Sequence, residues 1–241
     1  MLGDTMYNLQ NNPILTPYQT KVLKVFFSTN FSQSFFLTGG TALSAFYLAH
    51  RESQDLDLFS LENFDSQQLT VTIQDLARQT NSVITTKVTS PTYHEIYLEN
   101  KTENGIQRLD FVREQPKHFG NIQKIEGVAV DSLENIGSNK VLGILGRLEP
   151  KDYVDLYFVV TKTEWTFDQL FDLAKQKDTG LSEFYFANII AEAASIQNWP
   201  LTKIPFSPPA LISYYEDLAH TLLLKIKPVN AKTKATLASL K

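Results

Sequence analysis

Cysteine is absent from the 241-residue chain. Its absence excludes disulfide bonds and metal sites built from thiolates, and it allows a reducing compartment. The four histidines are scattered without the H-x₃-H type of spacing that marks a zinc site, so we expect them to be surface or structural residues. Neither a thiolate site nor a histidine metal site is therefore expected.

Long hydrophobic runs are also missing. No segment approaches the roughly 20 apolar residues that span a bilayer, and residues 1–12 lack the basic-then-apolar pattern of a signal peptide. The composition, 43% hydrophobic and 20% charged, is ordinary for one large or two small soluble domains. We therefore expect a cytoplasmic protein with no membrane partner.

The glycine motifs G-x-x-x-x-G-K-[ST] and G-x-G-x-x-G are absent too, but a shorter glycine motif is present. Gly39-Gly40-Thr41 follows the apolar run 35–37 and precedes the helix-like segment 42–50. Strand, glycine turn and helix are predicted in that order. Such a turn lets the backbone approach a ligand while the helix directs free N–H groups at it, which suits a triphosphate. The alternative is a turn without a ligand.

A D-x-D motif follows the glycine segment. Arg51, Ser53, Asp55 and Asp57 occupy alternate positions, and in a strand Asp55 and Asp57 share one face. Two adjacent carboxylates are unfavourable unless a cation lies between them, and oxygen ligands suit Mg²⁺ bridged to phosphates. The alternative is a strand edge whose polar side faces water.

A third acid occurs in a later segment. Residues 106–112 alternate at period two and predict a strand with Asp110 on its polar face. Asp110 could complete two metal sites, or accept the proton of an attacking hydroxyl. Alternatively, it balances the charges of Arg108 and Arg113.

The segment 140–158 combines basic and acidic residues at helical spacing. Lys140 and Arg147 are seven residues apart and share a helix face, and Pro150 suits the first turn of a second helix. Lys140 and Arg147 could hold phosphate oxygens while Asp155 orients the lysine. Alternatively, the segment is an ion-paired helical hairpin, worth about 0.3–0.5 kcal/mol per exposed pair.

The predicted elements divide the chain in two. Strands and helices alternate up to about residue 130, and the pattern from Asp131 onward is helical. Helices are predicted at 19–28, 42–50, 67–80, 167–175, 181–194 and 209–226. Another helix carries Lys140, with Asp131 or Ser132 as its cap. Strands are predicted at 83–89, 94–99 and 106–112, in addition to the D-x-D strand. We expect an α+β protein: a mixed sheet with flanking helices (domain 1–130), then a helical domain (131–241) that completes the active-site cleft.

The last 21 residues are basic. They contain Lys225, Lys227, Lys232, Lys234 and Lys241 and no acid, within a chain of net charge −4. A polynucleotide acceptor would favour such a tail, because neutralising phosphates supplies the sequence-independent part of binding. The alternative is the solvated end of an amphipathic helix.

Four signatures occur in order: G-G-T at 39–41, R-x-S-x-D-x-D at 51–57, L-D-F-V at 109–112 and K-x₆-R-x₃-K-D-x-x-D at 140–155. Together they resemble the nucleotidyltransferase toxins of the abortive-infection AbiEii/AbiGii family, in the DNA polymerase beta-like nucleotidyltransferase superfamily. The resemblance covers about residues 35–160. It implies a polymerase-beta-like nucleotidyltransferase domain at the N-terminus.

The resemblance also implies a role for each motif. Asp55 and Asp57 would bind Mg²⁺, with Asp110 as general base or third ligand of a two-metal site. By the same resemblance, Lys140 and Asp155 would form the pair needed for activity. The implied nucleotide-binding residues are Gly39, Gly40, Thr41, Arg51, Ser53, Lys140 and Arg147. Thr41 stands where the superfamily commonly has a serine, whose hydroxyl it would replace.

The implied partners are an NTP, an RNA acceptor such as tRNA, and a cognate antitoxin protein. Two other functions stay open: the same transfer to a protein or small-molecule hydroxyl, and a non-catalytic, nucleotide-binding regulator. The presence of all three acids, Asp55, Asp57 and Asp110, favours catalysis over the regulator.

Overall fold

The computed structural model describes residues 7–100, 105–114 and 117–226. Within these ranges the strands form a mixed seven-stranded sheet in the order β3-β4-β5-β2-β1-β7-β6. The strands are β1 Phe35–Thr38, β2 Leu56–Ser60, β3 Ser82–Thr89, β4 Tyr93–Asn100, β5 Ile106–Arg113, β6 Gln123–Ile125 and β7 Val128–Val130. β2 is parallel to β5 and β1 is parallel to β7, whereas the other neighbours are antiparallel.

Helices flank the sheet and make up most of the chain after it. They are α1 Pro17–Phe27, α2 Gly39–Ala42, α3 Ser66–Thr80, α4 Leu133–Arg147, α5 Pro150–Lys162, α6 Phe167–Lys177, α7 Glu183–Ala191 and α8 Pro208–Leu224. A π-helix, Leu43–Leu48, continues α2, and 3₁₀ turns occur at Phe31–Ser34 and Glu192–Ser195. The predicted α+β class, with a mixed sheet followed by helices, is confirmed. The division into domains 1–130 and 131–241 stays a prediction.

Local sequence explains where the helices begin. Thr16 and Gln19 form a capping box at α1, and the Ser132 hydroxyl caps α4 by accepting from the Asn135 N–H. Ser132 is therefore the cap, while the Asp131 carboxylate accepts from Thr38 at 2.5 Å and from Asn135 at 2.9 Å. Pro150 occupies the first turn of α5 as predicted, because its missing N–H has no intrahelical partner there.

Two element boundaries differ from prediction, and one hairpin was not predicted. The helix predicted at 42–50 begins at Gly39, and its end widens to a π-turn in which the Ala49 N–H donates to the Ser44 carbonyl. β2 begins at Leu56, so Asp55 precedes the strand that was predicted to contain it. The hairpin β6–β7 was missed because strands of three residues are too short for alternation to be read.

The core lies under the face of the sheet opposite Asp57. Leu56 and Leu58 are buried on that face of β2, whereas Asp57 and Phe59 are half-buried on the other. Phe26, Phe35 and Phe111 form contacts between α1 and the sheet with ring centroids 5.5–5.9 Å apart. Packing on one face thus leaves the other face of β2 available for a site.

No helix among the described residues is long and apolar enough to cross a membrane. The prediction for the basic tail concerns mainly residues 227–241, which lie outside the described ranges. Lys225, which is described, pairs with Asp168 at 2.7 Å.

Gln19 joins α1 to the segment before β2, which yields a stability prediction. Its side chain completes the capping box and its Nε2 donates to the carbonyls of Ser53 and Gln54 at 3.0 and 3.1 Å. Gln19→Ala should lower the free energy of unfolding by about 2–3 kcal/mol, the sum of a lost cap and lost buried hydrogen bonds. Urea denaturation measures the change. The control Gln68→Ala changes an exposed residue of α3 and should stay within about 0.5 kcal/mol of the wild type. Equal losses of stability in the two variants would contradict the role of Gln19 in joining α1 to the segment before β2.

Candidate active site

One row of side chains crosses four strands on the half-buried face of the sheet. Strand register places Thr38 opposite Asp57, Asp57 opposite Asp110, and Asp110 opposite Glu95. Neighbouring strands lie about 4.8 Å apart, so successive members of this row are direct neighbours. The pairing therefore brings Asp57 and Asp110 together, as the sequence predicted, and adds Glu95, which the sequence reasoning missed.

Asp57 is the exceptional member of the row. Within the described part of the chain its carboxylate takes part in no hydrogen bond or ion pair. Partial burial, followed by the negative charge of Asp110, raises the pKa of Asp57 to about 6. The charges of Lys140 and Arg147 oppose this shift only in part, so the carboxylate is held near like charge without a directly bonded cation among the described residues.

Asp110 is buried and compensated. Arg108, two residues earlier on the same face of β5, donates to both of its oxygens at 3.0 and 2.7 Å. Burial raises the pKa of Asp110, and the Arg108 hydrogen bonds oppose that shift. The contact with Arg108 matches the alternative explanation for Asp110, while Arg113 is not needed for it.

Asp55 lies just before β2 and is half-buried. Its backbone carbonyl accepts a hydrogen bond from the Thr41 hydroxyl, which fixes the glycine turn to the start of the D-x-D strand. Among the described residues, no group of three or more histidine, aspartate or glutamate side chains is close enough to hold a metal. The assignment of Asp55, Asp57 and Asp110 as metal ligands thus stays a prediction.

The glycine turn is required by close approach. Gly39 has a φ of +69°, and a Cβ there would overlap Asp57 Oδ2. A Cβ at Gly40 would lie 2.5 Å from Arg51 Nη2 and 3.1 Å from Ser53 Oγ. Both glycines therefore let the segment 51–57 lie against the backbone of the turn. A turn without such close neighbours would not need glycine at both positions.

A buried charge cluster lies behind this turn, centred on Asp155. Its Oδ1 accepts from His50 Nε2 at 2.7 Å and Arg51 Nε at 2.6 Å, and Lys140 Nζ lies 2.8 Å from its Oδ2. The charges of Lys140 and Arg51, with the hydrogen bonds from Arg51 and His50, hold the pKa of Asp155 well below its usual range despite burial. Burial lowers the pKa of His50. Asp155 therefore positions Lys140, as predicted, and also Arg51, which was predicted to bind nucleotide.

Asp152 links the same lysine to Arg147. It accepts from Lys140 at 2.9 Å and from Arg147 Nε at 2.7 Å, and Gly143 of α4 leaves room for its carboxylate. The ion-paired helical hairpin considered from the sequence is therefore present, but its Lys140 and Asp155 pairs are buried rather than exposed. Arg147 keeps half of its side chain exposed.

A cleft of about 850 Å³ collects part of the predicted site. Of the predicted residues, Gly39, Asp57, Lys140 and Arg147 line it. Seven predicted residues are not among the described residues that line this cleft: Gly40, Thr41, Arg51, Ser53, Asp55, Asp110 and Asp155. The cleft places a bare carboxylate and two cationic side chains around one space.

Sequence reasoning missed His50 and understated Asp152. His50 lies 105 residues from Asp155, so no local spacing could reveal that contact. Asp152 is part of the K-D-x-x-D signature, but the sequence reasoning did not assign it to the site. Its two basic partners on α4 could have been inferred from the hairpin.

Comparisons with known proteins identify the family and the fold. The family model "Nucleotidyl transferase AbiEii toxin, Type IV TA system" matches residues 22–183. An uncharacterized protein of Aquifex aeolicus (strain VF5), aq_aa25, is 28% identical over 172 residues, covering 66% of this chain and 73% of that protein.

Two solved structures from Helicobacter pylori share the fold. JHP933 superposes with a TM-score of 0.58 at 15% identity, covering 92% of this chain and 94% of its own. A candidate nucleotidyltransferase superposes with a TM-score of 0.59 at 16% identity, covering 86% and 92%. At these identities the likeness concerns the fold alone.

Removing the charge of Asp155 should destabilise the protein. Asp155→Asn leaves Arg51 and Lys140 with a neutral partner in a buried site, so the free energy of unfolding should fall by about 3–5 kcal/mol at pH 7. Because the folded-state pKa is depressed, the contribution is full above the unfolded pKa of about 3.9 and is lost as pH falls through the folded value. Denaturation at pH 7 and at pH 3–4 measures both effects. Asp168→Asn, which removes an exposed pair, is the control and should cost under about 1 kcal/mol; a similar cost for both variants would contradict the central role of Asp155.

Proposed function

The chain belongs to the AbiEii nucleotidyltransferase toxin family, and on that premise we propose that it transfers a nucleotidyl group from an NTP to RNA, with tRNA as the acceptor. Membership makes it a nucleotidyltransferase of a type IV toxin–antitoxin system. The acceptor, the metal and the residue roles are the proposed part.

The observation that carries the proposal is the bare carboxylate of Asp57. It lies against Gly39 in a cleft that Lys140 and Arg147 also line. A carboxylate with a raised pKa beside a specific charge partner in a cleft is typical of functional sites. A structural acid would be paired, as Asp152 and Asp155 are.

The charge of the cleft suits a triphosphate. Its basic lining residues are Arg113, Lys117, Lys140, Arg147 and Lys177, and its acidic ones are Asp57, Glu114 and Asp178. The Arg147 side chain is half exposed, and its Nε and Nη2 donate to Asp152, which fixes the guanidinium. Its remaining N–H groups can donate to phosphate oxygens while that contact is kept. Lys140 adds positive charge, positioned by Asp155.

The carboxylates of the D-x-D motif fit a divalent cation. Neither Asp55 nor Asp57 has an ion-pair partner in the described chain, and hard cations such as Mg²⁺ take carboxylate, phosphate and water oxygens together. We propose that Asp55 and Asp57 hold Mg²⁺, with Asp110 as third ligand of a two-metal site or as general base. When bound, the metal stabilises charge on the reacting phosphate and the leaving group.

Asp110 can act as a metal ligand or general base only if Arg108 gives up at least one of its hydrogen bonds to the carboxylate. Arg108 Nη2 already lies 3.9 Å from Glu95 Oε2, so a second carboxylate is near enough to receive the guanidinium. The remaining contribution of the protein is positioning: Gly39 and Gly40 bring the turn close to the D-x-D segment, and Asp155 fixes Lys140.

The proposed RNA acceptor rests on the family resemblance and on the basic C-terminal tail. The proposed cytoplasmic location rests on the toxin–antitoxin family. An antitoxin partner follows from the type IV toxin–antitoxin family. Incubation with each labelled NTP, Mg²⁺ and total RNA tests the acceptor. Label on tRNA supports the proposal, label on protein points to a protein acceptor, and no label points to a nucleotide-binding regulator.

Asp57→Asn separates function from folding. The rate of label transfer should fall by about 10²–10³-fold or more. The amide would no longer hold the cation that stabilises the negative charge developing on the phosphate during transfer. It should not lose stability: with a folded pKa of about 6 against about 3.9 unfolded, the native carboxylate makes stability fall as pH rises between these values.

The variant should therefore be at least as stable as the wild type above pH 6, and its advantage should shrink towards pH 4. Transfer assays and urea denaturation at both pH values measure this. Asp75→Asn, on the exposed face of α3, is the control and should retain full transfer. A folded Asp57→Asn protein with wild-type transfer would rule out the proposed site.

A further inference from the structure

The cleft continues past Lys140 to a second polar cluster, which none of the sequence motifs includes. The cluster consists of Glu114 just after β5, Asn135 and Asn139 on α4, and Lys177 at the end of α6. Glu114, Asn139 and Lys177 line the cleft, as Asp57 and Arg147 do. One continuous space therefore joins this cluster to the proposed phosphate site.

Lys177 organises the cluster. Its Nζ donates to Glu114 Oε1 at 3.2 Å, Asn135 Oδ1 at 2.6 Å and Asn139 Oδ1 at 2.7 Å, which uses all three N–H groups. Only 6% of the lysine side chain is exposed, and burial lowers its pKa while the charge of Glu114 opposes that shift. Lys177 therefore has no donor left for a ligand, but it fixes the orientation of its partners.

Glu114 and Asn139 keep hydrogen-bonding capacity. Asn139 Nδ2 donates one N–H to Glu114 Oε1 at 3.2 Å, and its second N–H has no acceptor among the described residues. Among the residues that the structure describes, Glu114 Oε2 accepts only a long bond, 3.4 Å, from Asn135. Asn139 is half-buried and lines the cleft. The cluster thus presents a carboxylate acceptor beside an amide donor.

Such a pair matches the edge of a nucleobase. Each base carries N–H donors beside ring or carbonyl acceptors on its Watson–Crick edge, and proteins read a base outside a duplex by hydrogen bonds to that edge. Acidic side chains accept from base amino groups, and amides donate to base acceptors. A purely structural cluster would have no reason to leave both groups facing the cleft.

The distance along α4 is suitable. Asn139 and Arg147 are eight residues apart, about 12 Å along the helix axis, so phosphates at Arg147 and a base at Asn139 would lie along one helix. We propose that Glu114 and Asn139, held by Lys177, form the nucleobase-binding end of the cleft and determine which NTP is used. This inference rests on the proposed nucleotidyltransferase function.

Glu114→Gln tests the proposal with little change of shape. The amide can still accept from Lys177 but offers an N–H where the carboxylate offered a lone pair. Dissociation constants are measured by calorimetry for the four ribonucleoside triphosphates and for inorganic tripolyphosphate, all with Mg²⁺. The ratio between the tightest and the weakest NTP should change by about tenfold, the effect of one charged hydrogen bond. Tripolyphosphate, which has no base, should keep its affinity within about twofold.

Two further variants complete the test. Asn139→Ala, at a half-buried position, should change the same ratio and covers the case in which Glu114→Gln fails to fold. Glu183→Gln removes the partner of Lys175 outside the cleft and should change nothing.

An unchanged NTP ratio in the folded Glu114→Gln or Asn139→Ala variant would overturn the inference, as would equal affinity of the wild type for all four NTPs. A wild type that binds neither tripolyphosphate nor any NTP would instead overturn the proposed function. The two failures are therefore distinguishable.

Discussion

The shape of the cleft depends on the contacts that the buried Asp155 carboxylate makes with its basic neighbours. A buried ion is costly unless it is paired and hydrogen-bonded, and Asp155 meets that cost with His50 and Arg51 from one side and Lys140 from the other. His50 and Arg51 precede the D-x-D strand, whereas Lys140 belongs to α4. One carboxylate therefore fixes the sheet to the helical hairpin, and the cleft lies where these two parts meet.

Charge is distributed unevenly around that cleft. Asp152, Asp155 and Asp110 are each compensated by basic side chains, whereas Asp57 is left bare and carries a pKa of about 6. The fold thus satisfies its structural acids and concentrates electrostatic repulsion on one carboxylate beside the glycine turn. Proteins place such unfavourable groups at sites where a ligand relieves them. A bound cation would offset the charge of Asp57, and a triphosphate would bind the basic side chains that line the cleft.

The sequence predicted what local pattern and strand register determine. The mixed sheet was predicted, and alternation fixed which side chains of each strand share a face. The Asp57–Asp110 neighbourhood and the Lys140–Asp155 pair join separate elements, so spacing offered them only as alternatives and the family resemblance favoured them. Contacts between distant segments were not accessible: His50 with Asp155, and Lys177 with Glu114, join residues 105 and 63 positions apart. The contact of Arg51 with Asp155 was missed for the same reason, because it joins residues 104 positions apart. From its position in the R-x-S-x-D-x-D signature, Arg51 was instead expected to bind nucleotide.

In the proposed function, the phosphates of the nucleotide bind between the glycine turn and the helical hairpin. The most direct measurement is a crystal structure of the protein with Mg²⁺ and a non-hydrolysable NTP. We expect the triphosphate in the cleft, with oxygens in hydrogen-bond contact with Arg147 and the cation on Asp57. A nucleotide bound elsewhere, or one whose phosphates contact neither residue, would contradict the claim.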